Sequence, residues 1–137
     1  MTSFVLDNSV AMRWCFESGA HSYADSVLNR LATGDTAIVP VLWFYEASAV
    51  LSRAENTGML AASKAAEFIS ELKSLSIIAD DAGVARVLTE VHRLALSYRL
   101  TSYDAAYLEL ALRLDLPLAT LDDELIRAAC AAGVSIL

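Results

Sequence analysis

The chain has 137 residues, is hydrophobic at 56% of positions and charged at 20%, and carries a formal net charge of −7. That length suits one domain, expected over residues 1–137, with a core large enough to fold without disulfides or a structural zinc. The acidic balance argues against long-range attraction to nucleic acid through a basic face. A divalent cation or a local basic rim remains as a route to a phosphate partner.

Cys15 and Cys130 form no Cys-x-x-Cys pair and have no histidines at zinc-finger spacing, so a reduced, cytoplasmic compartment is expected. The opening Met1-Thr2-Ser3-Phe4 lacks the basic and long apolar segments of a signal peptide. The longest apolar run, Ala37 to Tyr45, is too short to span a bilayer, so no membrane partner is expected.

Phe4-Val5-Leu6 is the first expected strand, and Asp7 follows it directly. Apolar positions at three- and four-residue spacing predict a helix from Ser22 to Ala32, ended by Thr33-Gly34-Asp35. A strand at Ala37-Ile38-Val39 precedes helices from Leu42 to Asn56 and from Ala62 to Leu75, the former ended by Asn56-Thr57-Gly58. Ser76-Ile77-Ile78 reads as a strand, and helices are expected from Val84 to Arg99 and from Tyr103 to Leu114. Pro117-Leu118-Ala119 is a further strand, a helix from Asp123 to Ala131 stops at Gly133, and Val134-Ser135-Ile136 is the last strand. The apolar runs are continuous rather than alternating, which suits a sheet covered on both faces. The expected fold is therefore α/β, three-layered, with a mainly parallel sheet of about five strands. Function is then expected at the carboxyl ends of the strands.

Two acids stand out on the helices. The residues three and four positions from Glu46 are Leu42, Trp43, Ala49 and Val50, and those around Asp104 are Leu100, Thr101, Tyr107 and Leu108. Neither acid has a basic neighbour at the spacing where helical side chains meet. Glu90, by contrast, has Arg86 and Arg93 and reads as an ordinary solvated charge. Asp7 and Asp122 follow strands and could enter one crevice. Each acid also has a plainer reading: Asp7 as a helix cap, Asp104 as a first-turn acid behind a Ser102 cap, Asp122 as a cap beside Asp123 and Glu124, and Glu46 facing water. Ionised carboxylates in apolar surroundings need a proton or a cation, and oxygen-only ligands suit Mg²⁺ or Mn²⁺.

At these residues the sequence resembles the PIN-domain family, specifically the VapC-type toxin ribonucleases of bacterial toxin–antitoxin pairs. The matching segments are Phe4-Val5-Leu6-Asp7-Asn8-Ser9-Val10, the Glu46 helix, Leu100-Thr101-Ser102-Tyr103-Asp104-Ala105-Ala106-Tyr107-Leu108-Glu109-Leu110-Ala111, and Leu118-Ala119-Thr120-Leu121-Asp122-Asp123-Glu124-Leu125. The resemblance implies a Mg²⁺-dependent endoribonuclease whose metal-binding, catalytic acids are Asp7, Glu46, Asp104 and Asp122, with Asp123 the rival fourth acid and the expected helix cap. It also implies small hydroxyls near the site at Ser9 and Thr120, a homodimer and a neutralising antitoxin.

Arg13, Arg53 and Arg99 are candidates for phosphate contacts, and Trp14, Tyr103 and Tyr107 for stacking on RNA bases, with core packing the plainer role for Tyr107. His21 and His92 read as surface or boundary residues, which leaves hydrolysis to metal-activated water. An acid-pocket phosphatase needs a second acid where Ser9 stands. Phosphatase and receiver-type domains both want a downstream lysine, yet the lysines are Lys64 and Lys73 in a mid-chain helix. A metal-dependent adhesion domain has a serine where Ala11 stands. A PIN-like module that binds a partner without cleaving RNA is the alternative of a different class.

Overall fold

The computed structural model describes residues 2–16 and 21–137. Among them, strands β1 (Ser3–Leu6), β2 (Thr36–Pro40), β3 (Ile77–Asp80) and β4 (Leu118–Ala119) form one sheet in the order β3-β2-β1-β4. Every pairing is parallel. The helices are α1 (Asn8–Cys15), α2 (Ser22–Ala32), α3 (Leu42–Asn56), α4 (Ala62–Ser74), α5 (His92–Tyr98), α6 (Ser102–Leu114) and α7 (Asp123–Ala132).

Phe4, Val5 and Leu6 are all buried, so the central strand is covered on both faces, as its unbroken apolar run requires. Small buried residues, Ala105 and Ala111 on α6 and Ala128 and Ala129 on α7, let these helices pack closely. Leu108 of α6, Leu118 of β4 and Leu125 of α7 are each fully buried. A leucine so placed contributes roughly 1.5–3 kcal/mol.

The α/β class and the parallel sheet match the expectation, with three local corrections. Val134–Ile136 is not a fifth strand: it makes one parallel bridge, Ile136 to Leu118, because β4 offers only two residues to pair with. The helix expected from Val84 to Arg99 is a 3₁₀ turn (Ala82–Arg86), a π turn (Val87–Val91) and then α5. The start of that segment is bent by specific bonds, since Asp80 accepts the Gly83 N–H at 2.9 Å. Helix α1 has no counterpart among the expected elements, because eight residues make two turns, too few for a periodic pattern to stand out.

The chain steps from β1 outward to β2 and β3, then returns to place β4 on the other side of β1. Strand order thus reverses between β1 and β4. The crevice beyond the carboxyl ends of these two strands is where an open parallel sheet places its ligands.

Candidate functional site

Asp7 donates its backbone N–H to Ala119 O at 2.9 Å, which continues the β1–β4 register and sets it beside Thr120. It occupies the N-cap position of α1 but makes no side-chain cap bond, so the helix-cap explanation fails. Its Oδ2 instead accepts hydrogen bonds from Ser9 Oγ at 2.7 Å and Thr120 Oγ1 at 2.8 Å. Each hydroxyl also accepts a backbone N–H, Ser9 from Leu121 at 3.1 Å and Thr120 from Asp122 at 3.0 Å. Both hydroxyls singled out in the sequence therefore orient Asp7 and tie it to the β4–α7 connection. Burial of Asp7, which is 5% exposed, raises its pKa above the ordinary carboxylate value. The two hydroxyls oppose that shift and the charge of Asp122 adds to it.

Asp104 sits in the first turn of α6, capped by Thr101 rather than Ser102: Thr101 Oγ1 accepts the Asp104 N–H at 3.1 Å. The capping hydroxyl is one residue earlier than expected because Ser102 already belongs to the helix. Burial, with the charges of Asp122, Asp7 and Glu124, pushes the Asp104 carboxyl up to about 6. Glu46, half-buried on α3, is raised by burial and by Asp7 and Asp104, while a hydrogen bond donated by Tyr107 Oη pulls the other way. These couplings link Asp7, which follows β1, Glu46 of α3, Asp104 of α6 and Asp122 at the start of α7. None of the groups acting on Asp7, Glu46 or Asp104 is basic.

The expectation that Asp123 caps α7 is reversed. Asp122 is the N-cap of α7, its Oδ1 accepting from Glu124 N at 2.9 Å and Leu125 N at 3.1 Å, so the cap is not Asp123. Asp122 is also the residue whose charge acts on Asp7 and Asp104. It does both because a cap uses one carboxylate oxygen. Glu124, which the sequence did not single out, also acts on Asp104 while pairing with Arg127 at 2.9 Å.

Arg13 and Arg53 are exposed and make no ion pair among the described residues. Arg13 lies in the last turn of α1, and Arg53 lines a groove with Phe16, Val50 and Met59. Tyr107 is fully buried and so is core, Trp14 Nε1 donates to Ala24 O, and Tyr103 is exposed. His21 caps α2 through Nδ1, which is a structural role.

Among the described residues, no group of three or more His, Cys, Asp or Glu side chains is already poised to hold a metal ion. The acids are close enough to act on one another without enclosing an ion. Their chemistry still fits Mg²⁺ or Mn²⁺: only oxygen donors and uncompensated charge. The Asn8 side chain adds a buried Oδ1 with no hydrogen-bond partner among the described residues.

A family model described as PIN domain matches residues 4–130. Among solved structures, the chain is similar to PAE2754 from Pyrobaculum aerophilum, at 24% identity and a TM-score of 0.68, covering 93% of this chain and 87% of that one. It is similar to VapBC2 from Rickettsia felis, solved bound to a DNA fragment from their promoter, at 14% identity and a TM-score of 0.70, covering 100% and 98%. It is also similar to FitAcB from Neisseria gonorrhoeae, at 16% identity and a TM-score of 0.65, covering 100% and 96%. At these identities the likeness establishes the fold. No curated protein sequence matches the chain significantly.

Proposed function

The chain belongs to the PIN domain family, and we propose that it is a single-domain, Mg²⁺-dependent endoribonuclease, the toxin of a toxin–antitoxin pair acting in the cytoplasm. One observation supports the reading: Asp7, Glu46, Asp104 and Asp122, from separate elements near the strand-order reversal, are linked by mutual charge effects, and no basic group acts on Asp7, Glu46 or Asp104. Asp7 and Asp104 are the most direct candidates to hold the metal, with Glu46 and Asp122 beside them. Mg²⁺ or Mn²⁺, when bound, supplies an activated water and polarises the scissile phosphate. Ser9 and Thr120 hold Asp7 in place.

A protein antitoxin is supported by the fold it shares with VapBC2 and by apolar surface along α3. There a cavity of about 380 Å³ is lined by Trp43, Leu51, Ile69 and Leu72. A homodimer is supported by Val84, Leu88 and Leu96, exposed apolar residues along the segment that ends in α5. Among the described residues no helix is long and apolar enough to cross a membrane.

The open arrangement of the acids is the feature that favours the alternative, a PIN domain that binds a partner without cleaving RNA. One assay separates the two. Purified protein freed of antitoxin cleaves RNA with Mg²⁺ or Mn²⁺, and EDTA stops it. Cleavage that survives EDTA, or that survives both Asp7→Asn and Asp104→Asn, refutes the mechanism. No cleavage at all, in the presence of measurable metal binding, supports the binding module.

A further inference from the structure

Tyr107 lies on α6, three residues after Asp104 and thus on nearly the same helix face. Its ring is 0% exposed, and its hydroxyl donates to Glu46 Oε1, a residue 61 positions away on α3. One hydrogen bond from this phenol therefore joins the helices that carry Asp104 and Glu46.

Packing alone does not explain the hydroxyl, because phenylalanine would fill the same core space. A buried hydroxyl needs a partner, and here the partner is a crevice acid. Ser9 and Thr120 likewise donate their hydroxyls to the Asp7 carboxylate. Glu46 has greater need of such a hold than Asp7 or Asp122. It has three side-chain torsions, lies in the second turn of α3 with no capping role, and loses most rotamer freedom on being fixed.

We propose that Tyr107 is a positioning residue for Glu46, its hydroxyl engaging Oε1 so that Oε2 is presented to the crevice for a divalent cation. The proposal rests on the metal-dependent reading of the crevice. Partners that orient a ligating carboxylate influence metal affinity by about 10–100-fold when removed.

The test is a double-mutant cycle read by Mn²⁺ binding to the metal-free full chain, without RNA, using wild type, Tyr107→Phe, Glu46→Gln and the double variant. Tyr107→Phe is expected to weaken Mn²⁺ binding by about 10-fold or more. The same change made in the Glu46→Gln background is expected to have little further effect. Placing para-aminophenylalanine at position 107, which restores a donor on the same ring, is expected to recover most of the affinity. Thermal unfolding in EDTA reports folding of every variant, and the amine-bearing variant stands in should Tyr107→Phe not fold. Unchanged affinity in Tyr107→Phe overturns the proposal, and so does an equal loss in both backgrounds, which marks a general packing defect. Wild type that binds no Mn²⁺ removes the metal-dependent reading itself, an outcome distinct from binding that is insensitive to Tyr107.

Discussion

Asp80 closes β3 at the carboxyl edge of the sheet and Asp7 follows β1 at the same edge, yet their surroundings are opposite. Asp80 meets Arg113 Nη2 at 2.6 Å, and Arg113 Nε meets Glu109 Oε1 at 2.8 Å. Glu109, although only 4% exposed, has a second guanidinium, Arg86 Nε, 2.9 Å away. That contact is a charge contact rather than an aligned hydrogen bond. The Arg113 guanidinium holds the Asp80 carboxyl below its ordinary range. In the crevice, Asp7, Glu46 and Asp104 are pushed the other way, by burial first and by one another after it. This fold thus neutralises buried acids with arginine where the acids serve the structure. No such cation acts on Asp7, Glu46 or Asp104.

The contrast can be broken most sharply by amide substitution in the crevice. Asp104→Asn is expected to lower RNA cleavage by about 100-fold or more, while raising metal-free stability by about 1 kcal/mol as repulsion is relieved. Cleavage assays paired with denaturant titration check both halves, and a destabilised, inactive variant would erase the distinction.

Arg113→Met is expected to do the reverse. It strands Asp80 and Glu109, costing roughly 3 kcal/mol, the low end for breaking a buried pair because the guanidinium is itself partly exposed. Mn²⁺ affinity of the folded fraction is expected to stay near wild type.

The pH dependence of the metal-free protein separates the two regions with a smaller signal. Asp104 has a folded value of about 6 against an ordinary 3.8, so the folded state holds that proton more tightly. Its contribution is complete below about 3.8 and is lost as pH rises through about 6, by about 1 kcal/mol after allowance for its partial exposure. Asp80 runs oppositely: its stabilisation is present above the ordinary value and disappears as pH falls through its lowered one. Melting temperatures in EDTA are thus expected to decline from pH 5 to pH 7, and Mg²⁺ at pH 7 to reverse the decline. The smallest effect belongs to the exposed pair Arg93–Glu90, where Glu90→Gln is expected to leave the melting temperature within error.

Much of this architecture follows from local pattern. Continuous apolar runs marked the strands of the parallel sheet, three- and four-residue spacing marked most helices, and Gly133 ends α7 in the left-handed conformation such a stop needs. Glu46 and Asp104 were legible as anomalies because a helix displays its neighbours at fixed offsets, and none of theirs is basic. The same local rule left the opposite region hidden. Arg113 is four residues from Glu109 and visible as a pair, but Asp80 is 33 residues from Arg113 and entered only when β3 met α6.

What the sequence determined by itself was the class of fold, the boundaries of its longer helices and the set of acids without nearby cations. Only the tertiary structure decided that Ser9, Thr120 and Tyr107 hold those acids, that Asp122 rather than Asp123 caps α7, and that Asp80 is matched while Asp7 is not. The reason is physical. Helical and strand patterns arise from contacts a few residues apart, whereas the hydrogen bonds that orient a carboxylate join elements as far as 113 residues apart, as Thr120 and Asp7 are. Such partners meet only once the strand order has brought β1 beside β4.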